Sequence, residues 1–106
     1  MATSIIKGSD FKLNLNIDKI EGKGMHDYDF YVELYTSNSK PYILKKEDLI
    51  SLIDDKGENV ILPIESSKLG TGKLTVRVIV TLDDADFLND KRTEIIVINT
   101  GIEIKK

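Results

Sequence analysis

Residues 68–82 read KLGTGKLTVRVIVTL, and this stretch decides the fold. After two glycines, apolar side chains alternate with mostly polar ones, and many of them are β-branched. A period of two in such side chains is typical of a strand that turns one face to a core. We therefore predict a core strand here, whose buried face consists of Leu74, Val76, Val78, Val80 and Leu82.

The remaining strands are predicted around this one. Alternation or apolar runs indicate strands at residues 3–8, 11–18, 28–36, 42–46, 59–65 and 93–104. Pro63 lacks an amide donor and therefore belongs at a sheet edge or bulge, and Gly101 is expected to bend the last strand. Residues 46–55 fit either one helical turn or an irregular extended crossing, and the sequence leaves both open.

About seven short strands with no reliable helix between them indicate an all-β fold. We predict an immunoglobulin-like β-sandwich of about seven antiparallel strands. The chain of 106 residues has the length of one domain, so residues 1–106 are expected to form it, with residues 1–8 as a short N-terminal arm. This arm and the tail at residues 102–106 are expected to be free to reach neighbouring subunits.

Composition excludes several classes of partner and compartment. The chain has no cysteine, which excludes disulfides and thiolate metal sites. Its net charge of −3, with acids and lysines interspersed, argues against nucleic acid as a partner. Neither a signal peptide nor an apolar run of membrane-spanning length is visible, so no membrane partner is expected. Met1 suggests a complete chain made in the cytoplasm.

No sequence motif strongly predicts a catalytic, phosphate-binding or metal-binding site. His26 is the only histidine, so no histidine-based metal cluster or conventional catalytic triad is expected. Residues 70–73 read GTGK but lack the earlier glycine, the following Ser/Thr and the helix of a phosphate-binding loop, so they predict a tight turn. The aspartates of residues 83–90 do not have calcium-loop spacing, and Phe87 among them is expected to plug the end of the sandwich. We predict no catalytic residue, cofactor or metal, and hence no enzyme.

Outward-facing apolar and tyrosine side chains are the better functional signal. Tyr31 and Tyr35 lie opposite the apolar side of their strand, Tyr42 follows nearby, and Ile79 interrupts the polar side of the core strand. With Ile5 and Ile6 of the arm, these residues are the predicted protein interface. Residues 95–98, Ile-Ile-Val-Ile, are apolar on both sides. They fit either a central strand in a two-sided core or a second part of the interface.

Two segments resemble one protein family. Residues 5–11 (IIKGSDF), followed by an alternating strand, resemble the opening of the small immunoglobulin-like domains of tailed-phage virion proteins. These include the N-terminal domain of baseplate upper proteins and modules of head fibres and auxiliary capsid proteins. Residues 66–74 (SSKLGTGKL) are similar to the connection that precedes the penultimate core strand in that family.

The resemblance implies a non-enzymatic structural protein of the virion. In the family, this domain usually anchors a longer fibre or receptor-binding part, which residues 1–106 do not contain. We therefore expect an auxiliary (decoration) protein on the capsid surface that binds the major capsid protein in many copies, with self-association possible. The alternatives are an adaptor at the tail, neck or fibre base, and a carbohydrate-binding module that would use its tyrosines.

Overall fold

The computed structural model describes residues 3–37 and 40–106, and it is mostly β, with 58% of the chain in strands and 13% in helices. The strands are β1 (Thr3–Ile6), β2 (Asp10–Asn16), β3 (Asp29–Tyr35), β4 (Tyr42–Lys45), β5 (Asn59–Glu65), β6 (Gly72–Asp83) and β7 (Lys91–Lys105). The helical elements are α1 (Lys46–Leu49) and three 3-10 turns at Ile50–Leu52, Ser66–Lys68 and Leu88–Asp90. The predicted all-β class is confirmed.

The strands form two sheets. One has five strands in the order β1-β7-β6-β3-β4, and the other pairs β2 with β5. Every pairing is antiparallel except that of β1, which runs parallel to the end of β7 from Thr3 opposite Ile102 to Ile6 opposite Lys105. The prediction of uniformly antiparallel strands was therefore wrong for β1. So was the expectation of a free arm and tail, because these segments hydrogen-bond to each other; Met1 and Ala2 lie outside the described residues.

The centre of the larger sheet is β6, as residues 68–82 predicted. It pairs with β3 on one side and β7 on the other. All five predicted inward side chains are at most 3% exposed. The alternation is therefore explained by burial of one face of a strand that has neighbours on both edges.

Both sheets contribute to one hydrophobic core. Val32 and Leu34 of β3 lie in the same cluster as Val60 and Leu62 of β5, and all four are 0% exposed. Such burial contributes about 1.5–3 kcal/mol per large aliphatic side chain. The smaller sheet thus depends on the larger one for its stability, since an isolated two-stranded sheet is marginal in water.

Residues 46–52 are helical, which settles the segment that the sequence left open. Leu49 of α1 is fully buried, and the ammonium of Lys46 donates to the carbonyl oxygen of Tyr28 at 2.7 Å. This bond ties α1 to the loop before β3. Among the described residues, no helix is long and apolar enough to cross a membrane.

A bulge bends the end of β7, as expected at Gly101. The register with β6 shifts between Lys73, which faces Glu103, and Thr75, which faces Asn99. Gly101 has a φ of 74°, a left-handed conformation that glycine adopts without strain. Beyond this bulge, β7 takes β1 as its second neighbour.

Candidate protein-binding surface

The outer face of the five-stranded sheet, the side turned away from the core, carries an apolar row. Strand register places Ile95 of β7 opposite Ile79 of β6, and Ile79 opposite Tyr31 of β3. Side chains directly opposite on one face of a sheet lie about 5 Å apart and pack together. The row therefore crosses three strands on the side where a half-solvated sheet normally carries polar residues.

Burial within this row differs from the prediction. Ile79 is only 7% exposed, whereas Tyr31 and Ile95 on either side are 39% and 59% exposed. The two neighbours shelter Ile79, so it offers little surface of its own to a partner. Ile79 instead supports Tyr31 and Ile95, which are the accessible members of the row.

A charged pair lies beside the apolar row. The Arg77 guanidinium donates to a Glu33 carboxylate oxygen at 2.9 Å, and their side chains are 37% and 15% exposed. This hydrogen bond raises the pKa of Arg77 above its ordinary value. The same guanidinium lies 5.4 Å from the centre of the Tyr35 ring. Partly exposed pairs contribute little to stability, but this one places charge between exposed apolar side chains.

Val97 and Ile43 flank that ion pair. Val97 faces Arg77 across β6 and β7, and Ile43 faces Glu33 across β3 and β4. They are 59% and 49% exposed. The outer face thus presents accessible apolar side chains on both sides of a partly exposed ion pair. This is the composition of an interface core with a polar element that sets orientation.

A shallow cleft continues the outer face past β4. It has a volume of about 610 Å³, and Tyr31, Ile43 and Ile50 line it together with Lys45 and Glu47. Ile50 is 54% exposed. Sequence reasoning missed Ile43 because residues 42–44 are all apolar and show no alternation that marks an outward side. It missed Ile50 because residues 46–55 were left open between a helical turn and an extended crossing.

Three predicted interface residues do not belong to this face. Ile5 lies opposite the buried Ile104, and Tyr42 lies opposite the buried Leu34, so both side chains pack against the core. Each lies on the inward side of its strand and is partly buried, so neither is part of the outer face. Ile6 is 58% exposed but sits on β1, at the far edge of the sheet from Tyr31. Tyr35 is half-buried beneath Arg77.

The two sides of residues 95–98 have different environments. Ile96 and Ile98 pack against the core, whereas Ile95 and Val97 are exposed. A two-sided core is therefore ruled out among the described residues, and the interface explanation remains for the outer side. Periodicity alone could not decide this, since an apolar run on both parities is compatible with either environment.

The segments weighed as possible phosphate, metal or catalytic sites make contacts that hold the fold together. Gly72 begins β6 with a φ of 119°, in a turn followed by a strand. The carboxylates of Asp83 and Asp84 pair with Lys91 and Arg92 respectively. No three histidine or acidic residues within 3–37 and 40–106 converge on a metal site. Exposed His26 lies with Nε2 2.8 Å from the Asp54 carbonyl oxygen.

The loop between β6 and β7 projects an apolar tip. Phe87 is 50% exposed and Leu88 is 92% exposed, so the prediction that Phe87 plugs the end of the sandwich was wrong. The hairpin places these side chains beyond the last pair of the β6–β7 ladder, where the core no longer reaches.

No family model, curated protein or solved structure matches the chain.

Proposed function

We propose that this chain is an immunoglobulin-like β-sandwich that serves as a structural, non-enzymatic protein of a tailed-phage particle. Its strand grouping supports the sandwich. One sheet runs β7-β6-β3-β4 and the other β2-β5, which corresponds to the G-F-C-C′ and B-E grouping of variable-type immunoglobulin domains. The parallel strand β1 extends the first sheet beyond β7.

One contact joins the two segments on which the family resemblance rests. The amide of Gly8 donates to the hydroxyl of Ser66 at 2.8 Å, and Ser66 is fully buried. The turn after β1 and the connection before β6 therefore meet at one point of the fold. This supports the proposal that both motifs belong to one domain architecture. Fold analogy alone does not define a role.

The observation that carries the functional proposal is the exposed apolar outer face. A patch that combines Tyr31, Ile43, Ile95 and Val97 around an Arg77–Glu33 pair suits a protein partner. On this proposal the partner is the major capsid protein. The protein occupies many equivalent positions on the capsid surface, after synthesis in the host cytoplasm.

Binding to capsids that lack this protein tests the proposal. We expect the purified chain to co-sediment with such capsids. Tyr31→Glu should weaken binding at least ~10-fold, because truncation or charging of a central aromatic removes more than about 1.4 kcal/mol. Ile61→Lys is the matched control, because Ile61 is 40% exposed on the other sheet. Absence of co-sedimentation, or equal losses in both variants, would remove the proposed site.

The number of copies per virion distinguishes a capsid protein from a tail, neck or fibre-base protein. Hundreds of copies per virion support decoration, while a dozen or fewer would assign the protein to the tail, neck or fibre base. A carbohydrate-binding role has weaker support, because sugar binding needs a row of exposed aromatic rings. Tyr28 is 5% exposed and Tyr42 packs inward, so the tyrosines form no such row.

A further inference from the structure

The free edge of β7 is the feature that the proposed function does not use. β1 pairs only with residues 102–105 of this strand. Along residues 91–99, no described strand lies on the side opposite β6. Nine residues at about 3.4 Å each give roughly 30 Å of edge.

The hydrogen-bond pattern identifies which backbone groups face outward along this edge. Opposite residues of β6 and β7 alternate between pairs that exchange hydrogen bonds and pairs that do not. The amide of Asp84 donates to the carbonyl of Asp90 at 2.9 Å, at the continuation of the same register. Hydrogen-bonded pairs recur at every second residue from Asp90, so the backbone groups of Arg92, Glu94, Ile96 and Ile98 bond to β6. The outward N–H and C=O groups therefore belong to Lys91, Thr93, Ile95, Val97 and Asn99.

The edges of β2, β5 and β4 are protected, whereas the middle of the β7 edge is not. Exposed side chains of β2 are Asp10, Lys12, Asn14 and Asn16, and β5 contains Pro63. Charge and proline are the devices that keep a strand edge from pairing with another chain. β4 has only four residues and leads into α1. The middle of the β7 edge instead carries Ile95 and Val97, each 59% exposed, with no charge, proline or bulge between residues 95 and 99.

We infer that this edge binds the same edge of a second copy, antiparallel about a two-fold axis through Ile95. The free run of residues 91–99 is centred on Ile95, so this register uses all five outward donors and acceptors of each copy. It forms about ten hydrogen bonds, a number typical of a specific interface. An isologous contact of this kind closes as a dimer and leaves no further β7 edge.

Within residues 91–99, the side chains that this register places opposite each other are compatible. On the outer face Ile95 lies opposite Ile95 of the copy, and Thr93 lies opposite Val97. The charged residues Lys91, Arg92 and Glu94 lie opposite Asn99, Ile98 and Ile96, so no two like charges oppose each other directly. The apolar rows of the two sheets join into one surface of ten strands.

Two variants that place opposite charges at the two-fold axis test this inference. Ile95→Lys and Ile95→Glu should each raise the dissociation constant of the dimer at least ~10-fold, because each variant places like charges opposite each other at the axis. An equimolar mixture should form the mixed dimer, detected by native mass spectrometry. Circular dichroism and thermal melts confirm that each variant folds. A monomeric wild-type protein up to about millimolar concentration, or a mixture that fails to pair, overturns the inference.

Hydrogen exchange and a control variant distinguish edge pairing from packing of outer faces. In the dimer, the amides of Thr93, Ile95 and Val97 should be protected, and in the Ile95→Lys monomer they should exchange freely. The amides of Glu94, Ile96 and Ile98 should be protected in both. Ile43→Lys alters the outer face on β4 and should leave dimerisation unchanged. Unprotected Ile95 and Val97 amides in a dimer, or loss of the dimer in Ile43→Lys, would refute edge pairing. Capsid binding is measured separately, so the two proposals fail independently.

Discussion

At the scale of single residues, folding lowers the pKa of the Asp54 carboxyl well below its ordinary value. Its carboxylate accepts from the Asn59 side chain at 2.9 Å and from the amides of Glu58 and Asn59 at 3.0 and 3.2 Å. These bonds, the Asn59 side chain foremost, lower the pKa of Asp54 to about 2. The charged form therefore closes the turn that leads into β5.

Asp54 should make stability depend on pH in the acidic range. Its folded pKa lies below its ordinary value of 3.8, so its contribution is fully present above about pH 4 and is lost as pH falls through about 2. Asp54→Asn should lower the free energy of unfolding near neutral pH. The difference in this free energy between the wild-type protein and the variant should become smaller as the pH falls toward about 2. Urea titrations at both pH values measure this. The adjacent Asp55→Asn, at an exposed position, is the control, and a deficit for Asp54→Asn that does not change with pH would contradict the assignment.

Individual side chains show where sequence patterns are informative. The inward positions of β6 were predictable because burial of one strand face imposes a period of two. Ile79 was singled out correctly as an outward apolar residue, but its burial was not predictable, because it depends on Tyr31 and Ile95 from other strands. Tyr42 was misplaced although the start of its strand was predicted correctly, because Tyr42, Ile43 and Leu44 are all apolar and show no alternation that would mark the inward face.

At the scale of elements, two loops approach each other at a pair of glycines. Gly57 has a φ of 72°, and a Cβ there would lie 2.9 Å from the Met25 amide nitrogen and 3.1 Å from Gly24 Cα. The Met25 amide also donates to the Gly57 carbonyl at 2.8 Å. Glycine at position 57 is thus required both by its left-handed backbone and by the close approach of the preceding loop.

Gly57→Ala should destabilise more than the same change at Gly22. Gly22 has a similar φ of 78° but open space around it, so Gly22→Ala should cost about 1–2 kcal/mol from the backbone alone. The additional loss in Gly57→Ala measures the steric contact between the loops. Chemical denaturation of both variants provides the comparison. Equal losses would mean that the loops separate without penalty.

Elements were predicted better than their connections. β2, β3 and β5 appear within two residues of their expected bounds, because each alternates or carries an apolar run over seven residues. The parallel pairing of β1 with β7 was not predictable, because four residues carry no signal for their partner or direction. That pairing also decides where the free edge of β7 begins, so the edge itself could not be read from the sequence.

At the scale of the whole molecule, the two sheets should unfold as one unit. The two-stranded sheet has no core of its own, since Val60, Leu62 and Ile64 belong to the cluster that includes Val32 and Leu34. A domain of this size with one core is expected to unfold in a single cooperative transition. Local opening would then be confined to strand ends and loops.

A pair of core truncations tests this coupling. Leu34 and Leu62 are both 0% exposed and lie in different sheets, so Leu34→Ala and Leu62→Ala should each cost about 2–5 kcal/mol. If the sheets are coupled, either change should accelerate exchange of the most protected amides in both sheets by the same factor, about tenfold per 1.4 kcal/mol. Ile61→Ala, on the exposed side of β5, serves as the control. If Leu62→Ala accelerated exchange only in β2 and β5, the smaller sheet would be an independent folding unit. The shared core would then be a contact between two units, and the larger sheet would have to be stable without it.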